Sequence, residues 1–369
     1  MILAQYVARR FLRSLFIVSS VFLLILYLID MIEIVRRYAS RGIGLAGTAR
    51  LAALDIADGF YSILPMVTVV AGIAMFISLA RSSEMVAIRA SGRSGLKVVT
   101  SPSLAAIVVG ALAVALLNPL VASTHQSSEQ ERAEIRSGSQ QTVSVLGGTL
   151  WLRQALVENG QETGQIVIRA GRAEPDATTL YDATFLIFDL DNGPIRRIEA
   201  RQARLEPGAW HLHDVRDYPL DQTNPEARAV STETLTLASD LTAKRIRDGF
   251  GEPRTVPIWN LPAFIAGMER AGFSAVPHRV WLQMELARPF VMGAMVLIAA
   301  AFTMQHIRGR NIGISILLAF SAGIGLFFLR NFAQILGDNG QISPIMAGWA
   351  PPLVGALLAM GLILSREDG

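Results

Sequence analysis

Six long apolar segments set the pattern of hydrophobic and polar positions along this chain. An α-helix needs roughly 20 mostly apolar residues to cross a membrane, and each segment is about that long. The predicted membrane spans cover approximately residues 11–32, 59–80, 98–121, 280–304, 312–330 and 345–365. The first is not a cleaved signal peptide, because its apolar run is too long and no small-residue cleavage site follows it.

Between the third and fourth spans, residues 123–275 follow a different pattern, in which apolar and polar positions often alternate. Alternation that is interrupted by Gly, Pro, Asn and Asp turns is typical of β-strands. The predicted strands cover Thr149–Gln154, Gln165–Arg172, Ala183–Asp189, Arg196–Leu205, Trp210–Asp214 and Ala229–Ala238. Many short strands at short spacing indicate an antiparallel sandwich, barrel or jelly roll. A short helix at about 257–272 is expected to lead back to the membrane.

The predicted fold class is therefore an α-helical membrane protein with six transmembrane helices, three on each side of an inserted antiparallel β domain. The predicted domains are residues 1–122 with the first three spans, residues 123–275 with the strands, and residues 276–369 with the last three spans. Composition agrees, because charged residues make up only 17% of the 369 residues, against about 25% in a typical soluble domain.

Charge is distributed unevenly between these parts. Residues 123–275 contain 16 Lys and Arg against 21 Asp and Glu, a net charge of −5, whereas the remainder has a net charge of +8. In the short loops, ten basic residues lie on the side of the N-terminus and five on the other side. Because loops rich in Lys and Arg stay in the cytoplasm, both termini are predicted to be cytoplasmic. The β domain is then expected in the periplasm of a cell with two membranes.

Several motifs that would indicate an enzyme are missing from the sequence. There is no cysteine, which excludes disulfides and thiolate metal sites. The sequence also lacks the GxxxxGK[ST] nucleotide-binding loop, the HExxH zinc motif and the GxSxG nucleophile motif. We therefore predict no catalytic residue, no bound metal and no cofactor in this chain.

The loop between the second and third spans carries the most informative cytoplasmic pattern. A serine can cap a helix at its start, and Glu84 then lies in the first turn, where the helix dipole favours a negative charge. Met85 and Ile88 share one face, and Gly92 is a natural stop. The pattern predicts a short amphipathic helix at about 82–92. It is either a simple interfacial helix or a coupling helix that docks into a motor subunit.

Charged residues also occur within or beside the outer half of the membrane, at Asp30, Glu33, Arg36, Arg37, Glu285, Arg288 and Arg330. A charge inside the bilayer is costly and usually faces a bundle interior or a water-filled cavity. Side chains near helix ends can instead snorkel to the headgroups, but Glu285 and Arg288 lie a few residues inside the fourth predicted span. Because arginine binds phosphate strongly, an anionic ligand is the functional alternative to snorkelling.

The stretch SSEMVAIRASG at 82–92 resembles the coupling-helix motif of the lipopolysaccharide export permeases, the LptF/LptG family. The arrangement of three helices, a β domain and three helices is similar to that family as well. The segments LIDMIEIVRR (28–37), GGTLWLR (147–153) and GWAPPLVGALL (348–358) look more like the LptG branch than the LptF branch.

The resemblance implies a permease subunit of an ABC transporter that extracts lipopolysaccharide from the outer leaflet of the inner membrane and passes it towards the outer membrane. It implies four partners: an LptF-like permease, an LptB-like ATPase dimer, an LptC-like membrane protein and an LptA-like periplasmic bridge. ATP and Mg would be bound by the ATPase. The lipid would enter between helix one of one permease and helix five of the other, and then pass to jellyroll-like β domains.

The resemblance also implies roles for individual residues. The residues expected to couple the chain to the ATPase are Ser83, Glu84, Met85, Ile88, Arg89, Ala90, Ser91 and Gly92, with Glu84 as the acidic contact. Six charges fall where the family lines its cavity and gate: Glu33, Arg36, Arg37, Glu285, Arg288 and Arg330. Asp30 is expected on the same substrate path. Asp30 and Asp58 are a departure, because enterobacterial relatives carry lysine at these places.

Three alternative functions remain at this stage. Another lipid- or lipoprotein-handling ABC permease is disfavoured, since permeases with four helices place their large outer domain after the first helix. A lipid-modifying membrane enzyme would need converging nucleophile or metal groups, which the sequence does not offer. A non-catalytic membrane scaffold would show no dependence on an ATPase.

Overall fold

The computed structural model of the chain divides into two compact units. It describes residues 2–38, 45–82, 84–85, 88, 94–136, 143–146, 149–158, 161–174, 178–189, 193–222, 224–239, 241–242, 246, 252–304 and 312–365. The first of the two units, here called the helical unit, comprises Met1–Glu131, Arg254–Trp259 and Val276–Gly369. The second, the β unit, comprises Arg132–Pro253 and Asn260–Ala275.

The described helices are α1 (Ile2–Tyr38), α2 (Leu45–Arg81), α3 (Gly95–Leu112), α4 (Asn118–Arg136), α5 (Leu261–Arg270), α6 (Val276–Thr303), α7 (Ile312–Asp338) and α8 (Pro344–Ser365). A π-helical turn, Ala113–Leu117, joins α3 to α4 without a break. Among the described residues, six helical stretches are long and apolar enough to cross a membrane. They coincide with the six predicted spans, so that prediction is confirmed, although most helices extend several residues beyond the apolar segments and the fourth ends at Thr303, one residue before the predicted end.

Burial within the helical unit differs strongly from helix to helix. In the most apolar stretch of α6, 78% of the residues are buried, whereas the share is 6% in α1 and 17% in α7. Helix α6 packs against α2, α3, α7 and α8, and is therefore the centre of the unit. Helices α1 and α7 leave most of their apolar surface exposed.

Small residues allow the helices around α6 to approach closely. A Cβ atom added at Gly110 of α3 would lie 2.7 Å from Cα of Pro289 in α6. A Cβ atom added at Gly348 of α8 would lie 2.7 Å from the backbone carbon of Gln283, also in α6. Membrane helices gain stability from such close van der Waals packing, because lipid provides no hydrophobic force between them.

The β unit contains one antiparallel sheet in which each described strand pairs with the next along the chain. The strands are β1 (Val143–Leu146), β2 (Thr149–Glu158), β3 (Gln161–Ala173), β4 (Thr179–Asp189), β5 (Gly193–Glu206), β6 (Ala209–Pro219) and β7 (Val230–Ala238). All six predicted strands are present, and the antiparallel fold class is confirmed. Strand β1 was not predicted, because four residues are too few to show alternation.

One face of the sheet forms the core of the β unit. Trp210 is fully buried, and its ring meets that of Phe185 edge to face, with centroids 5.9 Å apart. Helix α5 is fastened to the sheet where the N–H of Ala173 donates to the carbonyl of Ala271 at 2.9 Å. Gly272, at φ +91°, makes this approach possible, because a Cβ there would lie 2.1 Å from the Ala173 carbonyl oxygen.

Candidate functional site

A buried ion pair lies in the middle of the helical unit. Glu285 and Arg288 are 0% and 2% exposed, and they share one face of α6 because they are three residues apart. Nη2 of Arg288 donates to Oε1 of Glu285 at 2.5 Å, and Nε donates to Oε2 at 3.2 Å. A pair buried this deeply is stable only when further hydrogen bonds satisfy its remaining polar atoms.

Two other helices supply those hydrogen bonds. The hydroxyl of Tyr61 in α2 donates to Oε2 of Glu285, and Nδ2 of Asn118 in α4 lies 3.5 Å from the same oxygen. The guanidinium of Arg288 also stacks 3.9 Å from the centre of the Tyr61 ring. The pair therefore joins three helices, α2, α4 and α6.

A proline explains the position of Arg288. Pro65 lies four residues after Tyr61 in α2 and has no N–H, so it cannot donate the helical hydrogen bond to the Tyr61 carbonyl. Nη1 of Arg288 replaces the missing N–H and donates to the Tyr61 carbonyl at 2.8 Å. In a bilayer every freed backbone group must find a partner within the protein, and here the partner is a charged side chain.

Arg330 of α7 adds a second buried cation. Its side chain is 7% exposed, and it interacts electrostatically with Arg288 and Glu285. Within the part of the chain that the structure describes, its buried Nη2 atom has no hydrogen-bond partner. The charges of Glu285, Arg288 and Arg330 sum to +1, which favours an anion near these three residues.

The segment Arg254–Trp259, here called the connector, is anchored next to the buried pair. Asn118 accepts the backbone N–H of Ile258 at 2.8 Å through Oδ1, while its Nδ2 points to Glu285. The indole N–H of Trp259 donates to the Ala115 carbonyl at 3.2 Å, within the π-helical turn. Because π-helical turns are rare and frequently mark functional sites, this junction belongs to the candidate site.

A second polar cluster ties the predicted coupling segment to α1. Nη1 of Arg10 lies 2.5 Å and 2.6 Å from the two carboxylate oxygens of Glu84. The hydroxyl of Tyr6 donates to Glu84 at 2.8 Å, and Nη2 of Arg10 donates to the Ser78 hydroxyl in α2 at 3.0 Å. The hydrogen bond from Arg10 lowers the pKa of Glu84 below its ordinary value, so the carboxylate is charged at neutral pH.

The structure covers only part of the predicted coupling helix. Ser83, Arg89, Ala90, Ser91 and Gly92 lie outside the described residues. Met85 and Ile88 are buried and belong to the apolar core of the helical unit, as their shared face suggests. The predicted contact of these residues with an ATPase stays a prediction.

The charges predicted to line a substrate path fall into two groups. Glu285, Arg288 and Arg330 are brought together in the centre of the helical unit. Asp30, Glu33 and Arg36 lie on the last turns of α1, where Asp30 is half-buried and the other two are exposed. The side chain of Arg37 is outside the described part of the chain. Asp58 forms an ion pair with Arg254 at 3.6 Å, so in this chain it fastens the connector to α2.

Sequence reasoning missed the partners of both clusters. Tyr61, Asn118, Tyr6 and Arg10 were not singled out, although two of them carry a recognisable signal. A proline inside a span, as at Pro65, leaves the backbone carbonyl four residues earlier, at Tyr61, without its helical donor. An amide inside an apolar span, as at Asn118, needs hydrogen-bond partners within the protein.

In the comparison with protein families, the chain matches the model described as "Lipopolysaccharide export system permease LptF/LptG". The match spans residues 5–365 and so includes the helical unit, the β unit and both polar clusters. No curated protein matches the chain.

Proposed function

Because the chain belongs to the LptF/LptG family of lipopolysaccharide export permeases, we propose that it extracts lipopolysaccharide from the outer leaflet of the inner membrane and passes it towards the outer membrane. The family is one of transporter membrane subunits, so the chain itself does not catalyse a reaction. Within the family we assign it to the LptG branch, on the segments 28–37, 147–153 and 348–358 that resemble that branch.

The observation that carries this proposal is the exposed apolar surface of α1 and α7. On α1, Phe16 and Ile32 are 73% and 69% exposed, and on α7, Phe328 and Phe332 are 65% and 58% exposed. A continuous apolar face of this size faces either lipid or a partner. We propose that the partner is an LptF-like permease, which places α1 of one chain opposite the helix corresponding to α7 of the other.

A cavity between two such faces fits a lipid with several acyl chains. Removing each CH₂ group of an acyl chain from water is favourable by about 0.8 kcal/mol. A lipid that leaves the bilayer therefore requires an equally apolar surface. Arg330 supplies the positive charge that the phosphates of the lipid require, because Arg288 is already paired with Glu285. The buried guanidinium of Arg330, whose Nη2 atom has no hydrogen-bond partner among the described residues, supports this assignment.

The energy for extraction must come from a partner, since the sequence contains no nucleotide-binding loop. We propose that an LptB-like ATPase dimer binds ATP and Mg and docks at the segment around Glu84. Arg10 holds Glu84 from α1, so a displacement of this segment by the ATPase is passed to one wall of the lipid cavity. In this proposal the Arg10–Glu84 pair transmits the motion that closes the cavity.

The β unit receives the lipid in this proposal. We place it in the periplasm and both termini in the cytoplasm, on the asymmetry of Lys and Arg in the short loops. An LptC-like membrane protein and an LptA-like bridge would accept the lipid from it. The antiparallel sheet with one apolar face supports a role in holding acyl chains.

Conditional depletion of the protein tests this function. Newly made lipopolysaccharide is labelled, and the inner and outer membranes are separated before and after depletion. We expect the label to accumulate in the inner membrane and to be released when the wild-type gene is restored, but not when Glu84→Ala is supplied. Unchanged delivery of lipopolysaccharide would contradict the proposal. Accumulation of lipoproteins instead would indicate a different ABC permease.

A further inference from the structure

A basic cleft lies between the N-terminal part of α1 and the C-terminal part of α2. Its volume is about 710 Å³, which lies in the range of small-molecule sites. The lining includes Arg9, Arg10, Arg13 and Ile17 of α1 and Met75 and Ser78 of α2. The α1 residues recur at intervals of three and four, so they form one helical face.

The charge at the mouth of this cleft is only partly balanced. Arg10 is held by Glu84 at 2.5 Å. Arg9 and Arg13 are exposed, and among the described residues no acidic side chain forms an ion pair with either of them. They are four residues apart, which places them on neighbouring turns about 6 Å apart along the helix axis. Two cations at this spacing can hold one phosphate group between them.

The inner part of the cleft is apolar. Ile17 lies one turn beyond Arg13 and is 53% exposed, and Val18 and Met75 form the adjoining wall. The neighbouring α1 residues Leu12 and Phe16 are also exposed, at 41% and 73%. The cleft therefore runs from two cations onto the apolar surface of a predicted membrane span, in the direction in which an acyl chain leaves its headgroup.

We propose that this cleft binds an anionic phospholipid, with the phosphate held by Arg9 and Arg13 and the first part of an acyl chain against Ile17 and Val18. Basic pockets between membrane helices bind anionic headgroups in this way. A free phosphate would leave the apolar wall unused, and the lipid uses both parts of the cleft. The inference does not depend on lipopolysaccharide export, because it concerns a lipid of the leaflet at the N-terminal end of α1.

Native mass spectrometry of the full-length protein tests the proposal. The protein is released from nanodiscs that contain an equimolar mixture of phosphatidylglycerol and phosphatidylcholine, and the lipids that remain bound are counted. We expect phosphatidylglycerol to be retained in preference, and the double substitution Arg9→Gln/Arg13→Gln to reduce that preference roughly tenfold or more, since each cation near a membrane surface contributes measurably to anionic lipid binding.

The matched control is Arg81→Gln/Lys97→Gln, which removes two exposed cations at the same end of the helices but outside the cleft. It is expected to keep the preference, and Arg9→Lys/Arg13→Lys is expected to keep most of it. Circular dichroism confirms that each variant is folded. An equal loss in the control would overturn the proposal, because the effect would then be one of general surface charge. The absence of any preference for phosphatidylglycerol in the wild type would also overturn it.

Discussion

Removing the guanidinium of Arg288 is expected to destabilise the helical unit through two separable effects. The substitution Arg288→Met keeps an unbranched side-chain stem but removes the guanidinium, and so leaves Glu285, which is fully buried, without its counter-ion. It also leaves the Tyr61 carbonyl without a donor, because Pro65 cannot supply one.

The magnitude follows from these two losses. An uncompensated charge in a buried pair costs about 3–5 kcal/mol, and an unsatisfied buried carbonyl costs about 1–3 kcal/mol. The second effect can be reversed alone, since Pro65→Ala restores the N–H that donates to Tyr61 in a regular helix. In the wild-type background Pro65→Ala is expected to add little stability, because Arg288 already donates to the Tyr61 carbonyl. The two substitutions should therefore show a coupling of roughly 1–3 kcal/mol in a double-mutant cycle.

The assay is unfolding by sodium dodecyl sulfate in mixed micelles, followed by circular dichroism, for the wild type, both single variants and the double variant. We expect Pro65→Ala to recover part of the stability that Arg288→Met removes. Strict additivity of the two substitutions would refute the reasoning that Arg288 replaces the helical donor. A variant Arg288→Met as stable as the wild type would refute the whole account of the cluster.

Three further predictions concern the coupling segment and the helix packing. Arg10→Gln should reduce lipopolysaccharide transport per ATP hydrolysed by about fivefold. This factor corresponds to about 1 kcal/mol, the interaction free energy expected of the partly exposed Arg10–Glu84 pair. The ATPase should stay bound in a pull-down. Because Arg10 lowers the pKa of Glu84, the pair is intact above the ordinary carboxyl pKa and is lost as the pH falls through the lowered value. Carbodiimide, which modifies protonated carboxyl groups, should accordingly label Glu84 at lower pH in the wild type than in Arg10→Gln, and coincident profiles would contradict this. Gly348→Ala places a Cβ 2.7 Å from the backbone of Gln283 and should lower stability by about 1–3 kcal/mol, whereas Gly361→Ala, which meets nothing within 4 Å, should unfold like the wild type.

Most of the architecture could be predicted because its signals are local. A run of apolar residues or a period of two is visible in the sequence itself, and both survive in the structure. The ends of the elements were less visible. The fourth span was predicted to begin near 280, but α6 begins at Val276, so Glu285 and Arg288 lie further inside the helix than expected. Polar residues can continue a helix beyond the bilayer, where hydropathy no longer marks it.

The two polar clusters could be predicted only in part, because their contacts are distant along the chain. Glu285 and Arg288 were singled out as charges inside a span, but Tyr61 lies more than two hundred positions away from both. Glu84 was singled out for its place in a helical turn, whereas its pairing with Arg10 depends on how α1 packs beside α2. Tertiary packing decides such contacts, and a single sequence does not record it.

Site-specific photocrosslinking tests most directly whether lipopolysaccharide moves along the exposed faces of α1 and α7. A photoreactive residue replaces Ile32 on α1 or Phe332 on α7, and a third variant carries it at Leu353 on α8, which is 56% exposed. In cells, we expect crosslinks to lipopolysaccharide from the first two positions, which change with ATPase activity, and none above background from Leu353, if the lipid follows these faces. Equal crosslinking from all three positions, or none from α1 and α7, would contradict it.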